Sequence, residues 1–313
     1  MKILVTGGTG FLGKYVVTEI EKRKYKIKAI GSNHDLTQFG VATKIVDSYR
    51  PNVIVHLAAA CGGIKANINC PGNFFRDNIL MGINIIDAAR LLKVEKIIYV
   101  GTTCSYPKNT PVPFREENIW SNFPEKTNAP YGIAKRALLV MLQAYRKQYG
   151  LNGIYLIPSN LYGPGDHFDL ENSHVIPALI RKFYEAKING EKAVEIWGTG
   201  NACREFLYAK DAATGIVDAM EKYNGNDPVN LGTGCEISIR DLVTLIKKKV
   251  DFNGDIEWNT KMPDGQPRRC LDVSKAAEFF GFRASTSLSD GLDETIQWYI
   301  DNRENILKGE TEA

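Results

Sequence analysis

Tyr131 and Lys135 stand four residues apart in the stretch NAPYGIAKRALL. A phenol and an ammonium at that spacing share one face of a helix, and Asn128-Ala129-Pro130 just before them reads as the helix start. The pair suits reduction of a ketone. Hydride arriving at a carbonyl carbon builds negative charge on the oxygen, which then needs a proton. A free phenol near pKa 10 exchanges its proton slowly at neutral pH, and a nearby ammonium is expected to lower that value. Thr102 ends an expected strand upstream, where its hydroxyl can hold the same oxygen. With 14 tyrosines in the chain, about one Tyr-x-x-x-Lys match is expected by chance, so placement among the elements carries the reading. Two further groups invite chemistry. Cys104 lies two residues past Thr102, in a turn leading to Tyr106-Pro107, and His174 lies at the mouth of a later helix. By type alone a buried cysteine is a small hydrophobe and a lone histidine a packing or capping residue.

A cofactor has to lie beside the phenol, and the first fifteen or so residues provide for it. ILVTGGTGFLGKYVV sets Gly7, Gly10 and Gly13 between a strand and a helix. The first glycine permits a tight turn, the second lets backbone approach a pyrophosphate, and the third lets helix and strand pack closely. The helix start presents free N–H groups and a positive dipole end to the phosphates. Thr9, Phe11 and Leu12 complete the expected cofactor loop. After the second strand, KIKAI, the chain continues Gly31-Ser32-Asn33-His34. No acid stands there to hold ribose hydroxyls. Ser32, Asn33 and His34 can bond a 2′-phosphate, so NADP is expected over NAD.

Further along, apolar runs such as VIVHLA alternate with helical patterns. Expected strands are 2–6, 26–30, 53–57, 96–101 and 153–156, and expected helices 10–24, 41–49, 73–92 and 131–149. Strands apolar on both faces suit a parallel sheet covered by helices on both sides. The fold class is therefore α/β, a doubly wound parallel sheet of Rossmann type. Past residue 164 the pattern loosens, which implies a second, smaller α/β domain interleaved with the first. The expected division is 1–164 with 205–234 for the dinucleotide and 165–204 with 235–313 for the substrate, ligands lying between.

Composition excludes several classes. Net charge is +3 with scattered basic residues, and Lys247-Lys248-Lys249 ends an amphipathic segment, so no nucleic-acid partner is expected. No apolar run approaches the ~20 residues of a membrane span, and the opening MKILVTGG is strand material without a charged-then-apolar leader. Cys61, Cys70, Cys104, Cys203, Cys235 and Cys270 form neither a Cys-x-x-Cys pair nor a disulfide framework. The expectation is a reduced, cytoplasmic protein without a metal.

The glycine loop and the Thr-Tyr-Lys layout resemble the extended short-chain dehydrogenase/reductase superfamily. GTTCSYPK, NAPYGIAK, PSNLYGP, NSHVIPALIRKF, IWGTG followed by CREFL, and KMPDGQPRR occur in that order, with AACGGIKAN at 59–67. Together they resemble the GDP-L-fucose synthase family, the GDP-4-keto-6-deoxymannose 3,5-epimerase-4-reductases. The resemblance implies that Thr102, Tyr131 and Lys135 are catalytic, and that Cys104 as base and His174 as acid form an epimerisation pair. It places Asn160, Leu161 and His174 on the cofactor side together with Thr102, Tyr131 and Lys135. It also implies that Lys182, Trp197, Arg204 and Asp264 bind the nucleotide-sugar, Arg204 gripping diphosphate in two-pronged fashion. A homodimer through helices 73–92 and 131–149 is implied too. Three places depart from the pattern: threonine at 102 replaces a common serine, Thr9 stands where many members carry arginine, and the basic residues that many carry near Asn33 are absent.

The chemistry of such a pair is sound. A ketone at C4 acidifies the protons on C3 and C5, and inverting either carbon needs groups on opposite faces. The expected activity is thus an NADPH-dependent epimerase-reductase on a GDP-4-keto-6-deoxy hexose or heptose. An alternative is C4 reduction alone, with epimerisation done by another enzyme. A 4,6-dehydratase wants an Asp-Glu pair after the strand-end threonine, where this chain has Thr103-Cys104; a nucleotide-sensing module on the same fold tends to lack the Tyr/Lys pair.

Overall fold

The computed structural model describes residues 1–170, 173–262 and 264–311; Asn172 and Pro263, inside two of the motifs above, lie outside them. The first half runs β1 (Lys2–Thr6), α1 (Phe11–Lys22), β2 (Lys26–Ile30), α2 (Phe39–Tyr49), β3 (Val53–His56), α3 (Ile64–Asn69), α4 (Pro71–Leu91), β4 (Lys96–Val100), α5 (Ala129–Tyr149) and β5 (Asn152–Pro158). Then come β6 (Asn160–Tyr162), α6 (Val175–Asn189), β7 (Ala193–Trp197), β8 (Cys203–Tyr208), α7 (Ala209–Lys222) and β9 (Val229–Leu231). The chain closes with β10 (Glu236–Ser238), α8 (Ile239–Val250), β11 (Asp255–Asn259), β12 (Arg268–Arg269), α9 (Ser274–Phe280) and α10 (Leu288–Thr311).

Six strands form one sheet in the order β2-β1-β3-β4-β5-β9, every neighbouring pair parallel. The order reverses direction between β1 and β3, which opens a crevice at their carboxyl ends. Side chains alternate between two buried layers. Leu4, Ile54, Ile97 and Tyr155 meet α2, α4 and α5 on one face, while Ile3, Val55, Ile98 and Leu156 meet α1, α7 and α9 on the other. All of β3 and β4 is buried, as apolar runs covered on both sides require. This is the doubly wound α/β sheet expected from sequence. Helices α4 and α5 touch closely: a Cβ at Gly82 would lie 2.3 Å from Leu138 Cδ1.

A second layer is built from short strands. β8 lies between antiparallel β10 and parallel β12 and also pairs with β6, and β7 pairs with β11. Helices α6, α8 and α10 cover a third apolar cluster that includes Phe168, Phe183, Leu242 and Tyr299. The sequence pattern does predict strands at 193–196 and in the REFLY stretch, where β7 and β8 lie, but β6, β10 and β12, two or three residues each, are too short to show a period. α3 was likewise unforeseen; Pro71 at the start of α4 separates it from that helix. One expectation needs correction. Thr102 does not end β4, which stops at Val100; its side chain instead caps a short 3₁₀ turn by accepting from Cys104 N at 3.2 Å. Among the described residues no helix is long and apolar enough to cross a membrane.

Candidate active site

The glycine loop has the shape a phosphate cradle needs. Gly7 adopts φ +68°, open to glycine without strain, and Gly10 N donates to Gly7 O at 3.1 Å. A Cβ on Gly13 would sit 2.1 Å from Gly7 O, so only glycine lets α1 come this close to the turn. Gly10 precedes α1 without any side-chain cap, leaving the first-turn N–H groups around Phe11, Leu12 and Gly13 for a ligand. Thr9 and Gly10 are exposed. Gly31, at the end of β2, lies so near Thr9 that a Cβ there would meet Thr9 Oγ1 at 2.2 Å. Ser32 and Asn33 are therefore on the same rim, both exposed, with His34 Nδ1 2.8 Å from Asn33 Oδ1. A rim of hydroxyl, amide and imidazole groups fits a phosphorylated dinucleotide.

At the crevice floor, Pro130 in the first turn of α5 fixes the helix that carries Tyr131 and Lys135. Lys135 is fully buried. Its Nζ donates to Val100 O at 3.1 Å and lies 4.7 Å above the Tyr99 ring and 5.9 Å from that of Tyr131. Burial brings the ammonium down to about 8. Tyr131 does not behave as the sequence suggested. Burial pushes its phenol well above the usual tyrosine range, and the thiols of Cys61 and Cys104 add to that rise. The phenol is thus held protonated, which is the state a proton donor to a developing alkoxide requires. α5 is clamped to the Thr102 turn: a Cβ on Gly132 would meet Cys104 O at 2.2 Å, and Ser105 Oγ donates to Gly132 O at 3.0 Å. Thr102, Cys104 and Tyr131 are brought together by this contact.

Beneath them lies a buried aromatic stack that sequence reading missed. Tyr99 stacks on Tyr155 at 5.5 Å and lies 5.1 Å from His56. His56 Nδ1 is 2.7 Å from Thr6 Oγ1, and burial holds its pKa well below the ordinary value, so it is neutral. Cys61, after β3, and Asp166, after β6, also face this space; burial pushes the Asp166 carboxyl up to about 7.

Cys104 is half-buried, and its Sγ lies 3.9 Å from Arg269 Nη1. His174 is the residue before α6 and keeps an exposed surface. The protein mass around it, and then the nearby His167 and the Arg269 guanidinium, hold its imidazole below the usual histidine range. Arg269 is thus the shared neighbour of thiol and imidazole, brought there by β12 pairing with β8. It stands inside the quoted KMPDGQPRR, but nothing local in that stretch points at Cys104.

The four expected substrate contacts form one patch. Lys182 Nζ, from α6, donates to Glu195 O at 3.0 Å and lies 5.9 Å over the ring of Trp197. Trp197 is 48% exposed, so it is no core residue. Next to it, Gly198 at φ +83° leaves room for Asp264, whose carboxylate accepts from Thr199 N and Oγ1, each at 2.7 Å. Arg204 Nη2 donates to Asp264 O at 3.1 Å and Nη1 to Cys203 O at 2.7 Å. Burial and the adjacent Arg269 bring Arg204 down to about 10. Two neighbouring guanidinium groups spend their donors on uncharged atoms, which leaves a positive patch suited to a diphosphate. Asn160 Nδ2 donates to Glu205 O at 2.7 Å, tying the β6 loop to the strand that carries Arg204, and Leu161 packs at the edge of the sheet core.

Residues 3–232 match the model of the NAD dependent epimerase/dehydratase family. GDP-L-fucose synthase 1 of Arabidopsis thaliana is 39% identical over 303 residues, covering 96% of this chain and 94% of that protein. A crystal structure of a GDP-6-OMe-4-keto-L-xylo-heptose reductase from C. jejuni superimposes with TM-score 0.91 at 28% identity, covering 96% of this chain and 98% of that one. A GDP-L-fucose synthetase from Naegleria fowleri bound to NADP gives TM-score 0.88 at 31% identity over 97% of this chain and 95% of that one. The chain belongs to the NAD dependent epimerase/dehydratase family and, within it, to the GDP-L-fucose synthase family.

Proposed function

We propose that the protein is an NADPH-dependent epimerase-reductase that takes a GDP-4-keto-6-deoxy-hexose, inverts C3 and C5, and reduces C4. The observation that carries this reading is the convergence, at the carboxyl ends of β1, β3 and β4, of a glycine cradle, a protonated Tyr131 beside Lys135, and a thiol and an imidazole that share Arg269. The Naegleria relative holds NADP, and the Thr9–Asn33 rim supports the same cofactor here. Bound there, NADPH supplies the hydride for C4.

The chain's own residues do the rest. Arg204 and Lys182 hold the diphosphate, Trp197 offers its exposed ring to the nucleotide, and Asp264 fixes the Thr199 turn beside it. Cys104 removes a proton from C3 or C5 and His174 returns one to the opposite face. Negative charge collects on the C4 oxygen in both reactions, so Thr102 and Tyr131 serve both: they hold the enolate oxygen, and Tyr131 protonates the alkoxide. The glycine loop and the Asn160–Leu161 loop border the cofactor, and Lys135 orients it. In this reading the chain divides into 1–164 with 205–234 and 165–204 with 235–313, and the cleft lies between the two units. A cytoplasmic homodimer is part of the reading; exposed Ile83 and Leu91 on α4, with Val140 and Tyr149 on α5, support pairing through those helices.

The test is to incubate the protein with GDP-4-keto-6-deoxymannose and NADPH in D₂O. NADPH oxidation together with deuterium at C3 and C5 of the product, read by NMR, is the expected outcome. Similarity to the heptose reductase of C. jejuni favours a second reading, C4 reduction of a GDP-4-keto-6-deoxy-heptose with epimerisation done elsewhere. Cofactor oxidation without deuterium uptake would select it.

A further inference from the structure

Lys135 carries a buried charge, and the seat beneath it is specific. Its Nζ donates to Val100 O at 3.1 Å, and among the described residues no carboxylate forms an ion pair with it. Taking an ammonium out of water without an ionic partner is expensive. What it meets instead is the face of Tyr99, whose ring centre lies 4.7 Å from Nζ, inside the ~6 Å reach of a cation–π contact. The ring is held from both sides. Thr6, His56, Tyr99 and Tyr155 stand in register across β1, β3, β4 and β5, all buried. Tyr155 stacks on Tyr99 with 10° between the planes and donates its hydroxyl to Lys135 O at 3.0 Å. Gly101 lies so close to Tyr155 that a Cβ there would fall 2.3 Å from the ring. On the other flank His56 is 5.1 Å from Tyr99. Its Nδ1 is tied to Thr6 and burial keeps it neutral, so no second cation competes for the ring. The Tyr99 hydroxyl has no hydrogen-bond partner among the described residues. The site uses the face of this ring rather than its hydroxyl.

We propose that Tyr99, backed by Tyr155, is a positioning residue of the reduction: the negative face of its ring seats the Lys135 ammonium and holds it beside Tyr131 and the cofactor. This rests on the reading of Lys135 as the residue that orients the cofactor. The choice of an aromatic face has a chemical consequence. A carboxylate in its place would hold the lysine harder but would cancel the charge that the cofactor and a developing alkoxide feel. A π face attracts the cation and leaves its net charge intact. The other groups facing Lys135 are the Cys61 thiol after β3, the His56 imidazole on β3 and the Tyr131 phenol one turn back on α5. Burial pushes thiol and phenol up and holds the imidazole neutral, so none of the three offers an anion at neutral pH. Beyond Val100 O, the ring supplies the attraction that keeps the ammonium in place.

The experiment replaces Tyr99 in the full-length protein. Tyr99→Phe keeps the face and removes only the unbonded hydroxyl. Mono-, di- and trifluorinated phenylalanine at the same position keep the shape and drain the negative face stepwise. Tyr99→Leu removes the face; should it fail to fold, the fluorinated series carries the comparison. Each protein is read in two ways. In ligand-free protein with carbon-13-labelled lysine, NMR follows the lysine ε-methylene protons, the Lys135 signal being the one absent from Lys135→Met. Ring current is expected to displace that signal upfield in wild type and Tyr99→Phe, and Tyr99→Leu returns it to the ordinary position. NADPH oxidation with GDP-4-keto-6-deoxymannose is then measured. Tyr99→Phe should stay within about twofold of wild type, and kcat should fall step by step to about tenfold lower with three fluorines. KM for the sugar nucleotide stays constant, because the diphosphate patch is untouched. A ring that only fills space would show no trend with fluorine. A Lys135 signal at the ordinary position in wild type overturns the seat. A displaced signal with kcat flat across the fluorinated series overturns the positioning role, and loss of activity in Tyr99→Phe overturns it by giving the task to the hydroxyl. Absence of NADPH oxidation by wild type overturns the reductase reading instead. NADPH affinity across the series, read by its fluorescence, then decides the positioning role: a stepwise weakening sustains it and a constant affinity overturns it.

Discussion

The two halves of the cleft are built differently. The hydride-side residues sit on regular elements: Lys135 lies inside α5, its ammonium tied to the last carbonyl of β4 and seated on the Tyr99 ring, and Gly13 is wedged against Gly7. The proton-transfer side is assembled from a 3₁₀ turn, a residue before a helix and a two-residue strand, with Arg269 beside both the thiol and the imidazole. A hydride donor has to be held within about 3–3.5 Å of its target, which rigid elements achieve. Proton abstraction at two carbons of one ring asks the acid/base groups to reach different atoms, and loops tolerate that.

If the halves are separable, substitutions should split them. Tyr131→Phe removes the proton donor of the reduction and the enolate contact together, so NADPH oxidation and deuterium uptake should both fall ~10³-fold. Cys104→Ala should reduce deuterium uptake by ~10²-fold or more while NADPH oxidation against the 4-keto sugar persists. Equal loss of both activities in Cys104→Ala would make the cleft one machine rather than two.

Two buried lysines sharpen the contrast. Lys96 and Lys135 are each brought down to about 8 by burial. Lys96 caps the end of α7, donating to Ala219 O at 3.3 Å and to Met220 O and Tyr223 O at 2.5 Å. Lys135 makes one bond to a carbonyl. Lys96→Met leaves Met220 O and Tyr223 O without that donor inside the protein, Ala219 O keeping its bond from Tyr223 N, and should cost about 2–4 kcal/mol in urea unfolding at pH 7. Lys135→Met should leave the fold at least as stable at pH 7, because it removes an unpaired buried charge, while destroying activity. A Lys135→Met protein less stable than wild type at pH 7 would place that lysine with Lys96, as part of the scaffold.

The sign with pH follows from linkage. An unfolded lysine titrates near 10.4 and these folded ones near 8, so between those values the unfolded chain binds more protons and stability rises with pH. Buried tyrosines oppose this only above about pH 10, where unfolded phenols ionise. The stability gap between Lys135→Met and wild type should therefore narrow by about 2 kcal/mol from pH 7 to pH 10, read by urea titration at each pH. A gap independent of pH would mean that Lys135 keeps its proton throughout that window.

The same contrast governs what the sequence discloses. Gly13 and the Tyr131–Lys135 pair are legible from spacing because each acts through neighbours one turn away. The doubly wound sheet is legible because β3 and β4 are apolar on both faces. Arg269 meets Cys104 across 165 positions through a strand two residues long, and no local period announces it. Cys104 and His174 come into view only through the order of six motifs. The Tyr131 reading went wrong at another level. Residue types predicted an ammonium lowering the phenol, but the density of protein around both groups, which spacing does not encode, pushes the phenol up.

The smallest effect belongs to the rim. Trp197 presents its ring at the mouth with the Lys182 ammonium 5.9 Å above it, and its exposure means that truncation leaves no cavity in the core. A ring stacked on a nucleobase contributes about 1–3 kcal/mol. Trp197→Ala should then raise KM for the GDP-sugar roughly tenfold with kcat unchanged, the pattern of lost uniform binding, and Trp197→Phe should recover most of it. A fall in kcat instead would move Trp197 inward, to the reacting end of the cleft, and erase the distinction between a rim that only binds and a floor that reacts.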